Sequence, residues 1–105
     1  MYTHQKLHVY QHALTVARWI RGQTWPRGDA PLRDQASRAA TSVVLNIAEG
    51  MSQIGKPRAN HLRIAKASAA EVSAILDLVD FDGTHEMAHL IDRVGMMLAK
   101  LLKRS

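Results

Sequence analysis

Apolar positions recur along this chain at steps of three and four, and no stretch alternates with the period of two that marks a half-buried strand. Leu7, Tyr10, Leu14 and Ala17 open the series, with Ala13, Val16 and Ile20 widening the stripe, and predict a first helix from about Thr3 to Ile20. Gly22 is its expected stop, and Trp25-Pro26-Arg27-Gly28-Asp29 reads as a turn or loop. Pro31 stands where proline is tolerated, in the first turn of a second helix. That helix continues through Leu32, Ala36, Ala39, Val43, Ile47 and Ala48 to about Glu49, with Gly50 read as a left-handed C-terminal cap. Its small residues, Ala36, Ser37, Ala39, Ala40 and Ser42, allow a neighbouring helix to come close.

A polar loop from Ser52 to Lys56 follows, and Pro57 opens the third helix. There Leu62, Ala65, Ala69, Val72, Leu76 and Val79 keep a 3-4-3-4-3 spacing, the mark of a helix packed nearly parallel or antiparallel to its neighbours. Phe81-Asp82-Gly83 breaks the run, and Thr84 is read as the N-cap of a fourth helix carrying Met87, Leu90, Val94, Met97 and Leu101. Helices joined by short loops become antiparallel neighbours. The expected architecture is one all-α domain over residues 1–105, an up-down-up-down antiparallel four-helix bundle.

Composition narrows the class. With 105 residues there is room for one core, and 47% apolar residues set the chain apart from a disordered tail. No cysteine is present, which excludes a disulfide framework and a thiolate zinc site. The opening Met1-Tyr2-Thr3-His4-Gln5-Lys6 leads into no apolar stretch of the signal-peptide kind, and no apolar run approaches the roughly 20 residues a bilayer requires. These features predict a cytoplasmic chain without membrane association. Lys and Arg number 14 against nine Asp and Glu, a net charge of +5. The excess is uneven: residues 1–66 carry +7 and residues 67–105 carry −2. Such asymmetry suits a polyanion-binding face, or attraction between subunits.

Candidate chemistry is sparse. His85-Glu86-Met87-Ala88-His89 spells H-E-x-x-H, in which two histidines one turn apart hold zinc and the glutamate acts as base. The pattern also needs a third ligand, and beyond His89 only Asp92 offers one. Met87 belongs to the apolar stripe, and polar residues are ordinary in a first turn, so the match reads as accidental. His4, His8 and His12 fall at i, i+4 and i+8 on one face of the first helix, with no carboxylate beside them, and read as a solvated face. No metal or other cofactor is expected, and no activated nucleophile or phosphate-binding glycine loop is visible.

The basic residues carry more. Lys56, Arg58, Arg63 and Lys66 cluster around the start of the third helix, joined by His61. At 100° per residue Lys56, Arg63 and Lys66 fall within about 80° of one another, provided Lys56 follows the helical course. Arg33, Arg38, Lys103 and Arg104 are secondary candidates for phosphate contact. The aromatic residues are few and lie outside the basic cluster in the sequence, so base stacking has little support and low sequence specificity is expected.

One stretch goes beyond pattern. Ser37-Arg38-Ala39-Ala40-Thr41-Ser42-Val43-Val44-Leu45-Asn46-Ile47-Ala48-Glu49-Gly50 resembles the R-R-A-A-x-S-I-P-x-N-I-A-E-G signature of the bacterial four helix bundle protein family. That family includes proteins encoded by intervening sequences in ribosomal-RNA genes, with the accessory variability determinants of diversity-generating retroelements as more distant relatives. Leu7-His8-Val9-Tyr10-Gln11-His12-Ala13 is similar to its L-x-V-W-Q-x-A opening, and Ala67-Ser68-Ala69-Ala70-Glu71 to its G-S-x-A-E element. The resemblance implies an up-down four-helix protomer assembled into a homopentameric barrel. It also implies binding of RNA or DNA and, in the retroelement branch, partnership with a reverse transcriptase; no enzyme activity is implied. Val44 stands in place of the signature proline, so the second helix should be less kinked, and Arg58, His61 and Arg63 make this region unusually cationic. Asn46 is expected to satisfy a hydrogen bond between helices, and Glu49 to pair with Arg38 or cap a neighbour.

Overall fold

A computed structural model describes residues 2–104; Met1 and Ser105 lie outside the described residues. A short 3-10 turn, Thr3–Lys6, precedes helix α1, His8–Gly22; after a second 3-10 turn, Arg27–Asp29, come α2, Ala30–Met51, α3, Gly55–Leu78, and α4, Thr84–Lys103. Each helix touches its two sequence or ring neighbours, α1–α2, α2–α3, α3–α4 and α4–α1, while α1/α3 and α2/α4 lie on the diagonals. This is the expected antiparallel four-helix bundle, 43 Å long and 25 × 20 Å across.

The core follows the 3-4 stripes. Val16 and Ile20 of α1, Val43 and Ile47 of α2, Leu62 and Val72 of α3, and Ile91, Val94 and Leu98 of α4 are all but sealed from solvent. Between α2 and α3 the buried side chains are mostly small, Ala36, Ala40, Ala65 and Ala69 among them, and two hydroxyls meet across the seam, Ser68 Oγ donating to Ser42 Oγ at 3.0 Å. One end of the bundle is closed by aromatic rings. Phe81 stacks on Trp19 (centroids 5.8 Å apart) and takes the edge of Trp25 at 5.1 Å, which draws Trp25, in the interhelical loop, into the core.

Four local expectations are corrected. The first helix is not continuous from Thr3. Leu7 is extended (φ −84°, ψ 135°), and the break lays the preceding turn against α2 while Leu7 packs on the core. Gly50 is not a left-handed cap: positive φ occurs, among the described residues, at Gly55 (64°) and Gly83 (93°), and α2 runs through Gly50 to Met51. Gly50 serves close approach instead, since a Cβ there would stand 3.1 Å from His61 Cβ and 3.3 Å from Leu62 Cδ2. The α2–α3 loop is shorter than expected, because α3 begins at Gly55, placing Lys56 on the helix and Pro57 in its first turn, where its missing N–H costs nothing. Finally, Gly83 is the N-cap of α4, and Thr84, one residue inside, donates its hydroxyl to Phe81 O at 2.8 Å.

Candidate nucleic-acid interface

The antiparallel course brings four chain segments to the end of the bundle opposite the aromatic rings: the start of α1, the end of α2, the start of α3 and the end of α4. Arg63 and Lys66 of α3 line one surface depression together with Leu102 of α4. On the next face Leu7 and His8 meet Lys100, Leu101 and Arg104. Lys6, Lys56, Arg58, Arg63, Lys100, Lys103 and Arg104 thus share this end with a single carboxylate among the described residues, Glu49, and Lys66 follows at the middle of α3. The other end carries Asp29, Asp34, Asp77, Asp80, Asp82 and Glu86 with Arg18, Arg21, Arg27 and Arg33. In the sequence the charge divides between an N-terminal and a C-terminal portion; in the fold it divides along the bundle axis. Helix dipoles alternate in direction and largely cancel, so the field at the basic end comes from the side chains.

Lys56, Arg63, Lys66, Lys103 and Arg104 are exposed, and among the described residues none of them enters an ion pair. With Lys56 on the helical course, the condition for grouping it with Arg63 and Lys66 on one face is met. Arg58 is half-buried and holds the α2–α3 turn, its Nε donating to Gln53 O at 2.9 Å. His61 is turned inward, away from the cations: its Nδ1 lies 2.9 Å from Asn46 Oδ1 and 3.6 Å from Glu49. The His61 contact makes Asn46 the interhelical bridge its position suggested, and its Nδ2 donates within α2 to Ser42 O at 2.9 Å. Glu49 faces His61 rather than Arg38, which sits three turns away along α2.

Two secondary candidates do not join the basic end. Arg33 lies near the aromatic end, its guanidinium donating to Arg21 O at 3.4 Å and 3.7 Å from Asp34. Arg38 is exposed midway along α2. Conversely, Lys6 and Lys100 belong to the basic end, and only the return of α1 and α4 to that end reveals them. Tyr2 stands on the N-terminal turn that carries Lys6, with its ring stacked on His4, and that turn packs on α1 and α2.

The histidine patterns resolve differently. The break at Leu7 removes His4 from the face of His8 and His12, whose rings stand 6.2 Å apart. His85 and His89 meet edge to face at 4.7 Å, both exposed, while Asp92 accepts a hydrogen bond from Ser73 Oγ at 2.8 Å. Among the described residues no group of three or more His, Asp or Glu side chains is placed to hold a metal ion. Nor is any described helix long and apolar enough to cross a membrane.

Fold and charge define a small helical bundle with one cationic end. The family model of the 23S rRNA-intervening sequence protein matches residues 5–100, and the chain belongs to that family. No curated protein matches the chain.

Proposed function

We propose that this protein is a non-catalytic, homo-oligomeric accessory protein that holds RNA or DNA by phosphate contacts at its basic end. The observation that carries this reading is the convergence of seven cations, from α3, the end of α4 and the N-terminal turn, around one carboxylate among the described residues. Lys56, Arg63, Lys66, Lys103 and Arg104 are the contacts, with Lys6 and Lys100 beside them. The family's name associates its members with intervening sequences of 23S rRNA, and a ribosomal-RNA-related role is the coarse form of the reading. Partnership with a reverse transcriptase is the narrower form, and it requires a reverse-transcriptase gene and a template repeat beside this one. Exposed Leu45, Ile64, Leu78 and Met96 support assembly, as does the small area an alanine-rich bundle buries by itself. A pentamer is the proposed state, and a monomer in sedimentation equilibrium across micromolar concentrations would refute it.

Salt titration tests the binding. Each neutralised phosphate releases condensed counterions, so log K should fall with log salt by roughly 0.7 to 0.9 per phosphate contacted. Arg63→Ala/Lys66→Ala should weaken binding to all sequences about equally and flatten that slope. Unchanged affinity and slope in a folded, assembled variant would transfer the cations to another role. The exposed apolar residues then favour the second reading, a protein-interaction scaffold, which purified protein free of nucleic acid by its 260/280 absorbance ratio would also support.

A further inference from the structure

Tyr2 is the one described aromatic side chain left largely open to solvent, 76% exposed. It is nonetheless held in place. Its ring stacks on His4 at 5.8 Å with the planes 15° apart, and His4 in turn meets the half-buried Tyr10 edge to face at 4.7 Å. The backbone beneath is fixed by Tyr2 N donating to Gln5 Oε1 (2.8 Å) and Gln5 N donating to Tyr2 O (3.1 Å). Gln11 Nε2 ties the turn to α1 through Gln5 O at 3.2 Å. The other large rings, Trp19, Trp25 and Phe81, form the buried or half-buried cluster at the opposite, acidic end. An ordered ring with an open face thus stands on the α1–α2 side of the basic end, on the turn that carries Lys6.

We propose that the Tyr2–His4 stack is a base-stacking platform, so that the basic end takes nucleic acid as an unpaired strand. This rests on the phosphate-binding reading of the same end and adds what lies between the phosphates. Cations that follow a backbone, combined with an exposed aromatic face, are the two elements of single-strand binding without sequence preference, because every base has a π-face. A duplex hides its base faces and offers the ring nothing to stack on. The order imposed by His4 and Gln5 lowers the entropy lost when a base settles on the ring.

The test compares four probes by fluorescence anisotropy at one salt concentration: a short oligopyrimidine as RNA, the same sequence as DNA, a matched duplex, and an abasic strand of equal length. Tyr2→Ala should weaken binding to the two oligopyrimidines roughly five- to a hundredfold. Binding to the abasic strand and the duplex should not change, and Tyr2→Phe should bind like the unsubstituted protein. Arg63→Ala/Lys66→Ala should weaken all four. A preference for RNA or DNA identifies the natural strand and supports the platform in either case. Undiminished oligopyrimidine binding by Tyr2→Ala, an equal loss on the abasic strand, or tighter binding of duplex than of strand overturns the platform and leaves the phosphate reading standing. If the unsubstituted protein binds none of the four, both fall.

Discussion

Asn46 and His61 are joined across the α2–α3 interface, Oδ1 to Nδ1 at 2.9 Å, one turn from Gly50, where a Cβ would stand 3.1 Å from His61 Cβ. Ser42 and Ser68 continue the same polar seam toward the middle of the bundle. The seam fixes the register of two helices whose facing residues are largely alanine, a side chain too small to fix it by shape.

Removing the bridge should cost stability. Asn46→Ala strips His61 of its partner and should destabilise the fold by about 1–2 kcal/mol, as expected for a part-buried hydrogen bond with one partner left behind. Urea unfolding followed by circular dichroism measures it, and a change within about 0.5 kcal/mol would mean that the bridge is idle.

The glycines should respond in a definite order. Gly83→Ala combines a left-handed backbone (φ 93°) with a Cβ only 2.8 Å from Trp19 Nε1, whereas Gly55→Ala has the positive φ (64°) with open space around it. Gly55→Ala should cost about 1–2 kcal/mol, the left-handed penalty alone. Gly83→Ala should cost clearly more, because the indole that seals the aromatic end must move. Equal losses in thermal unfolding would contradict this account.

Stability should also depend on pH through His12. Burial, the Arg93 guanidinium and the neighbouring His8 together push its imidazole below the usual 6.5. The unfolded chain then binds the proton more readily than the folded one. The His12 contribution is complete above about pH 6.5, declines as pH falls from there, and is fully lost below the lower folded value. In His12→Gln the loss of stability between about pH 7.5 and about pH 5.5 should shrink. An unaltered loss would place the sensitivity elsewhere.

Position along the bundle, rather than charge alone, should decide which cations matter for binding. Lys103→Ala should weaken nucleic-acid binding and flatten the salt slope by a little under one unit per site, while Arg33→Ala, at the other end, should change neither. Asp77→Asn or Asp80→Asn should leave binding intact or slightly tighter. Equal effects of Lys103→Ala and Arg33→Ala would show that the protein responds to net charge and not to a localised end.

The sequence by itself determined the helices, their order and the family. Spacing of three and four among Leu62, Ala65, Ala69, Val72 and Leu76, or among Leu90, Val94 and Leu101, is a local property, because residues one turn apart share a helix face whatever the rest of the chain does. Short loops between such helices leave few ways to bury their stripes, so the antiparallel bundle followed as well. Local pattern failed where the cause was tertiary. No proline or glycine marks the break at Leu7, which exists because the preceding turn packs on α2. Gly50 looks like a cap in the sequence, yet what favours glycine there is the approach of His61 and Leu62, eleven and twelve residues on, which would crowd a Cβ. His61 reads as one more cation until Asn46 and Glu49 are seen to hold it from α2. The basic end is the largest case. Lys6, Lys56 and Lys103 are far apart in the chain, and only the reversal of direction at each loop carries them to one end while Arg33 goes to the other, because an antiparallel bundle sorts residues by their distance from the nearest turn and not by their order in the sequence.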